Sequence, residues 1–235
     1  MWIKICGITN PDDAAVVVGA GANAIGLNFY QNSRRFIQPI QARRIAEQVA
    51  GDTDLVGVFV NDPPDRVAQV ARDVGLSAVQ FHGDETKSDI QRFQRLCPGI
   101  PVIRAFRIGS EMSSFATQWQ EFAGLGTPLA AALVDAWSAD EYGGTGQTLH
   151  AALLDGHQQL VSQLILAGGL KPDNVAQAVS MVRPWGVDVA SGVESAPGMK
   201  SAELVQRFVA VCRAASPDGS AVRKTLRQNS NNSPH

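Results

Sequence analysis

Eight short apolar runs recur along the chain, each followed by a longer stretch with helix-like spacing, and this alternation limits what the chain can fold into. The runs lie at Trp2–Gly7, Ala24–Phe29, Asp54–Val60, Ser77–His82, Pro101–Phe106, Ala130–Asp135, Gln163–Ala167 and Val187–Ala190. They are near-continuous in Val, Ile, Leu and Ala rather than strictly alternating, the pattern of strands in a parallel sheet covered on its outer face. The intervening segments predict helices at Pro11–Ala20, Pro39–Ala50, Pro63–Val74, Glu85–Leu96, Ser110–Phe122, Thr148–Leu154, Pro172–Ser180 and Met199–Ala214. Asn10 is placed to cap the first of these, with Pro11 at its first helical position. Gly or Pro punctuates nearly every junction. Eight strand-then-helix units predict an α/β protein, a single (β/α)8 TIM barrel with a parallel eight-stranded core. A doubly wound open sheet is the competing architecture, and the count of eight favours the barrel.

The expected catalytic domain is residues 1–215. From Ser216 to His235 the chain is polar, rich in Ser and Asn and without apolar periodicity, which predicts a disordered tail.

Composition excludes several classes. The net charge of −2 argues against a nucleic-acid surface or an anionic-membrane binder. No apolar run approaches the length a membrane helix needs. Lys4 and Asn10 interrupt any signal-peptide pattern, so a cytoplasmic protein is expected. The three cysteines, Cys6, Cys97 and Cys212, are widely spaced with no C-x-x-C pair, which speaks against a disulfide framework or a zinc site. Cys97 and Cys212 read as structural. No metal site is expected.

In such a barrel the chemistry sits at the C-terminal ends of the strands. Those ends offer Cys6-Gly7, then Ser33-Arg34-Arg35 in the loop after the second strand, His82-Gly83, Asp135, Gly168-Gly169, and Asp188 with Ser191-Gly192. Glycine-rich ends on strands seven and eight are where barrels usually bind phosphate, because bare backbone N–H groups can close on the anion. The alternative is that these glycines only make tight turns. Side-chain alternation sets Lys4 and Cys6 on one face of the first strand and Ile3 and Ile5 on the other. If the isoleucines pack under the helices, Cys6 faces the barrel mouth. The same logic places Leu133 and Asp135 on one face of the sixth strand. A thiol and a carboxylate would then face one cavity, which suits a general acid–base pair. A small buried core cysteine explains Cys6 equally well at this point. Arg35 could offer a planar fork to a carboxylate or be a surface arginine. His82 could touch a substrate, but a strand-end hydrogen bond is the plainer reading. The stretch Tyr142–Gly146 lacks the spacing of a nucleotide-binding loop and fits a mobile lid better.

The motifs K-I-C-G-I-T, G-L-N-F-Y-x-x-S-x-R-x-I, V-G-V-F-V-N, V-Q-F-H-G-D-E, L-V-D-A, G-G-T-G-x-T, L-A-G-G-L-x-P-x-N-V and D-V-A-S-G-V-E-S-x-P-G-x-K occur in order from Lys4 to Lys200. Together they resemble the phosphoribosylanthranilate isomerase family of tryptophan biosynthesis. The resemblance implies a cofactor-free Amadori rearrangement of N-(5-phosphoribosyl)anthranilate to 1-(2-carboxyphenylamino)-1-deoxyribulose 5-phosphate. Asp135 would be the general acid at the furanose ring oxygen, and Cys6 the base at C2 of the Schiff base. Arg35 would hold the anthranilate carboxylate, and Asp188 would contact sugar hydroxyls. Gly168, Gly169, Ser191 and Gly192 would bind the phosphate. The partner implied is this small phosphorylated substrate, with no nucleic acid or membrane, and the chain would be a monomer or homodimer. Three features depart from the family pattern: Arg34 where proline is frequent, Gln147 in place of lysine after G-G-T-G, and Leu149-His150 in place of an aromatic–acidic pair.

Two other readings are distinguishable. The related histidine-pathway isomerase carries an aspartate where this chain has Cys6, and an internal two-fold repeat that is not evident here. A non-catalytic phosphate-ligand or flavin-binding barrel would need neither Cys6 nor Asp135.

Overall fold

The computed structural model describes residues 1–49, 51–107, 113–122, 124–135, 160–216 and 226. Eight parallel strands close into a barrel in sequence order: β1 (Trp2–Cys6), β2 (Ala24–Asn28), β3 (Asp54–Phe59), β4 (Ala78–Phe81), β5 (Val102–Arg107), β6 (Ala131–Asp135), β7 (Leu164–Ala167) and β8 (Gly186–Val189). The first and last strands pair in register, Lys4 beside Asp188, which closes the ring. All eight expected strands are present, each within a residue or two of its predicted bounds.

The described helices are α1 (Pro11–Ala20), α2 (Pro39–Gln48), α3 (Pro64–Val74), α4 (Lys87–Leu96), α5 (Ser113–Glu121), α6 (Val175–Val182) and α7 (Ala202–Ala215). The helix expected at Thr148–Leu154 and the lid expected at Tyr142–Gly146 lie outside the described residues, as do Gln147, Leu149 and His150. Helix α1 has its predicted bounds: the Asn10 side chain accepts from the Asp13 amide at 2.8 Å, and Gly21, at φ +81°, ends it in the left-handed conformation. Helix α4 starts later than expected, because Thr86 is the cap and Glu85 is used elsewhere. The Glu85 carboxylate accepts from the Asn61 and Gly83 amides and pairs with Arg104.

Strand alternation sorts the core into two layers. Ile3, Ile5, Ile25, Leu27, Val134 and Leu166 pack outward under the helices. Trp2, Ala24, Val56, Ala78, Ile103, Leu133 and Ile165 fill the barrel interior. Toward the C-terminal ends the inward positions turn polar: Lys4, Asn28, Gln80, Asp135 and Asp188.

Two details differ from the sequence reading. The helix expected to begin at Met199 is preceded by a small antiparallel hairpin, β9 (Glu194–Ala196) with β10 (Met199–Lys200). Pro197-Gly198 turns it, with Gly198 at φ +80°, and Ser201 then caps α7. Most of the segment expected as a disordered tail lies outside the described residues. Ser216 and Leu226 are described: Leu226 is buried against the interior layer at the N-terminal end of the barrel, and its amide donates to the Asp54 carboxylate at 3.2 Å. Among the described residues no helix is long and apolar enough to cross a membrane.

Candidate active site

Cys6, Arg35, His82, Asp135, Gly168, Gly169, Asp188 and Ser191 line one cavity of about 400 Å³ at the C-terminal mouth of the barrel. The sequence placed these groups one strand end at a time, and closure of the sheet brings them together. Cys6 comes from β1 and Asp135 from β6, with β7 and β8 between them around the ring, so thiol and carboxylate face the cavity from separated walls. Lys4, Asn28 and Gln80 complete the inward polar layer, and Asn28 and Gln80 also line the cavity.

Glycines shape both ends of the site. Gly7 has φ +79°, and a Cβ there would collide with the Arg35 side chain. The glycine after Cys6 therefore lets Arg35 lie across the end of β1, beside the thiol. Two strands round the ring, after β7, Gly168 and Gly169 have φ +90° and +53°, conformations that favour glycine. Gly192 does not line the cavity itself. It sits behind the wall, where a Cβ would collide with the Leu170 carbonyl of the β7 loop. A three-residue 3-10 turn, Ser191–Val193, follows β8 here. The two loops thus approach backbone to backbone at the cavity, with Gly168, Gly169 and Ser191 on its wall, an arrangement suited to an anion.

Arg35 is held by a residue that the sequence reading did not assign. Its Nε and Nη2 both donate to Glu194, each at 2.7 Å. The Glu194 carboxylate also accepts from Lys200 Nζ at 2.8 Å. The β9–β10 hairpin makes this possible, since its register sets Glu194 beside Lys200. Burial pushes the Glu194 carboxyl up, but hydrogen bonds from Arg35 and Lys200 outweigh it and hold the group below its ordinary range. A guanidinium has two usable forks. Glu194 takes the Nε edge and leaves the Nη1 edge for a second carboxylate. The signal was in the sequence, because Glu194 and Lys200 flank the Pro197-Gly198 turn.

His82 sits at the cavity wall with Nδ1 2.8 Å from the Gln80 side-chain amide. Burial, reinforced by the Lys4 charge, lowers its pKa to about 4, so the ring is neutral near pH 7. The strand-end hydrogen bond foreseen for it is present, and so is access to the cavity.

Below the mouth, Lys4 Nζ donates to Asp188 Oδ2 at 2.8 Å, with the lysine fully buried. Removing either partner would leave an uncompensated buried charge, at a cost of about 3–5 kcal/mol. Asp188 Oδ1 is also buried and has no hydrogen-bond partner. Cys97 and Cys212 are buried among the helices, away from the cavity. Among the described residues no group of three or more His, Cys, Asp or Glu side chains could hold a metal ion.

Comparison with known proteins gives one answer. Residues 3–211 match the family model described as N-(5'phosphoribosyl)anthranilate (PRA) isomerase. The N-(5'-phosphoribosyl)anthranilate isomerase of Bordetella parapertussis is 42% identical over 217 residues, which is 90% of this chain and 95% of that protein. The crystal structure of phosphoribosyl anthranilate isomerase from Thermotoga maritima superposes with a TM-score of 0.78 at 37% identity, covering 91% of this chain and 99% of that one. A phosphoribosyl anthranilate isomerase in complex with reduced 1-(o-carboxyphenylamino)-1-deoxyribulose 5-phosphate matches with a TM-score of 0.76 at 34% identity, over 91% and 99% of the two chains.

Proposed function

Because the chain belongs to the N-(5'-phosphoribosyl)anthranilate isomerase family, we propose that its barrel mouth performs that isomerisation with Asp135 as general acid and Cys6 as general base. The activity is the conversion of N-(5-phosphoribosyl)anthranilate to 1-(2-carboxyphenylamino)-1-deoxyribulose 5-phosphate, an aldose–ketose isomerisation of tryptophan biosynthesis. The observation that carries the residue roles is the shared cavity. A thiol and a carboxylate face it from β1 and β6, with glycine-bearing loop backbone and an arginine on its rim.

The steps follow from which bonds must move. Asp135 gives its proton to the furanose ring oxygen as the bond from that oxygen to C1 breaks. The anilino nitrogen lone pair moves into C1 to form a protonated Schiff base. The Cys6 thiolate then takes the proton from C2. The C2–H electron pair forms the C1–C2 double bond, and the C–N π pair returns to nitrogen. The resulting enolamine tautomerises to the ketone. The free edge of Arg35 would hold the anthranilate carboxylate, with Glu194 fixing the angle of the guanidinium. The Asp188 carboxylate would meet sugar hydroxyls, and neutral His82 can offer a ring nitrogen nearby. Gly168, Gly169 and Ser191 would hold the phosphate, mainly through backbone amides, with Gly192 behind them letting the two loops close together. A cytoplasmic location belongs to the same reading, because a substrate carrying a phosphate and a carboxylate does not cross a bilayer unaided. So does a monomeric or homodimeric state.

The test is turnover of freshly generated phosphoribosylanthranilate by the purified protein, with EDTA present. Rapid formation of the ribulose product is expected. A folded protein that leaves the substrate unchanged would overturn the assignment.

The phosphate site has its own test. In Gly192→Ala the added methyl meets the Leu170 carbonyl, so the two anion-binding loops must separate. Losing one charge-assisted hydrogen bond of about 1.5–3 kcal/mol predicts a rise in KM of roughly 10- to 100-fold. The phosphate-free analogue should be bound equally by wild type and variant. An unchanged KM for the phosphorylated substrate would place the phosphate elsewhere.

A further inference from the structure

We propose that Lys4 is a positioning residue for Cys6: its buried ammonium, held by Asp188, stabilises the thiolate that takes the C2 proton. This rests on the reading of Cys6 as the base.

The geometry begins with alternation on β1. Lys4 and Cys6 both point inward, two residues apart, with Cys6 nearer the mouth. On the neighbouring β2, Cys6 pairs with Gly26. A Cβ on Gly26 would lie 2.6 Å from Cys6 Sγ and 3.0 Å from Lys4 Cε. The two side chains therefore lean over the same glycine, into space that any other residue would fill. The far end of the lysine is fixed from the other side, where Asp188 on β8 takes a hydrogen bond at 2.8 Å. One of its three ammonium donors is thereby used.

The site needs such a cation. Burial pushes the Cys6 thiol up, and the Asp188 charge adds to this. Lys4 is the strongest opposing influence, through charge and hydrogen bonding. The other cations facing the thiol are committed. Lys200 Nζ on β10 bonds to Glu194 and to the Ala190 carbonyl, and Arg35 spends one fork on Glu194. His82 on β4 is neutral. The interactions with Asp188 and Cys6 outweigh burial and raise the Lys4 pKa, so the ammonium keeps its proton and is not itself the base.

The experiment measures the thiolate directly, by the pH dependence of Cys6 alkylation with iodoacetamide, read by peptide mass spectrometry. Cys97 and Cys212 are buried and serve as internal controls. Three proteins are compared: wild type, Asp188→Asn, and Lys4→Met/Asp188→Asn, in which no buried charge is left unpaired. An opposite charge at this range shifts a pKa by about 1–3 units. Alkylation at fixed pH below the midpoint should therefore be roughly 10- to 1000-fold slower in the double variant than in Asp188→Asn. Asp188→Asn removes the carboxylate that keeps the buried lysine charged, and carries the cost of an unpaired buried charge. The double variant carries no such charge and should be alkylated more slowly than wild type, because Lys4 outweighs Asp188 at the thiol; that comparison decides the matter if Asp188→Asn does not fold. Identical alkylation profiles in the folded variants, or a double variant no slower than wild type, would overturn the role of Lys4. Full turnover by Cys6→Ala would instead overturn the base assignment and leave the alkylation result standing.

Discussion

Cys6→Ala is expected to lower kcat by about 10²- to 10⁴-fold, the usual contribution of a positioned general base, while KM changes by no more than a few-fold. The thiol ends β1 at the cavity wall, and the reacting C2 must pass within reach of it. None of the groups assigned to substrate binding depends on the sulfur: Arg35 is fixed by Glu194, and the anion loops stand on β7 and β8. The loss should therefore appear in kcat and in kcat/KM to the same degree, the signature of an interaction made only in the transition state. The barrel itself should survive. Cys6 is part-exposed to the cavity, the methyl of alanine fits beside Gly26, and the outward isoleucines of β1 are untouched. Steady-state kinetics alongside a thermal melt separates the two effects. Near-normal turnover in a folded variant would remove Cys6 from the mechanism. Cys6→Ser is a weaker test, since a hydroxyl keeps the shape and is a poor base.

The barrel was legible because its signals are local. Each strand is a run of apolar residues between Gly or Pro punctuation, and each cap is read from neighbours in sequence, as Asn10 and Pro11 show for α1. Period-two alternation then sufficed to place Cys6 and Asp135 inside. What was not legible depends on contacts between distant segments. Glu194 was visible as part of a motif, but its bond to Arg35 joins residues 159 apart and exists only because a hairpin turns at Gly198. Helical spacing after Met199 hid that hairpin. The part played by Gly7 is likewise non-local, since the side chain it makes room for belongs to the loop after β2. Leu226 shows the same limit. Ala221, Val222 and Leu226 are too few to set a period in so polar a stretch, yet the barrel end offers Leu226 a buried seat and Asp54 offers its amide an acceptor. Local pattern gives the frame of this protein, and long-range pairing gives the aim of its site.

Those long-range pairs also explain why the second large effect should be purely chemical. Asp135→Asn is expected to lower kcat by roughly 10²- to 10⁴-fold. Without a proton donor the ring oxygen must leave as an alkoxide, and a neutral amide cannot supply that proton. Asparagine keeps the length and planarity of the side chain at the end of β6, so the pairing of Asp135 with Ala167 and Arg107 along the sheet is undisturbed. The charge layer made by Lys4, Asp188, Arg35 and Glu194 is built from other strands and loops and should keep its geometry. Binding of the reduced, open-chain product analogue supplies the discriminating measurement. That molecule has no furanose ring for an acid to open, so the variant should bind it within a few-fold of wild type while turning over substrate far more slowly. If the analogue is lost along with turnover, Asp135 acts in binding rather than as the acid. If turnover persists, ring opening draws its proton from another group, and the placement of Cys6 and Asp135 on β1 and β6 loses its chemical meaning.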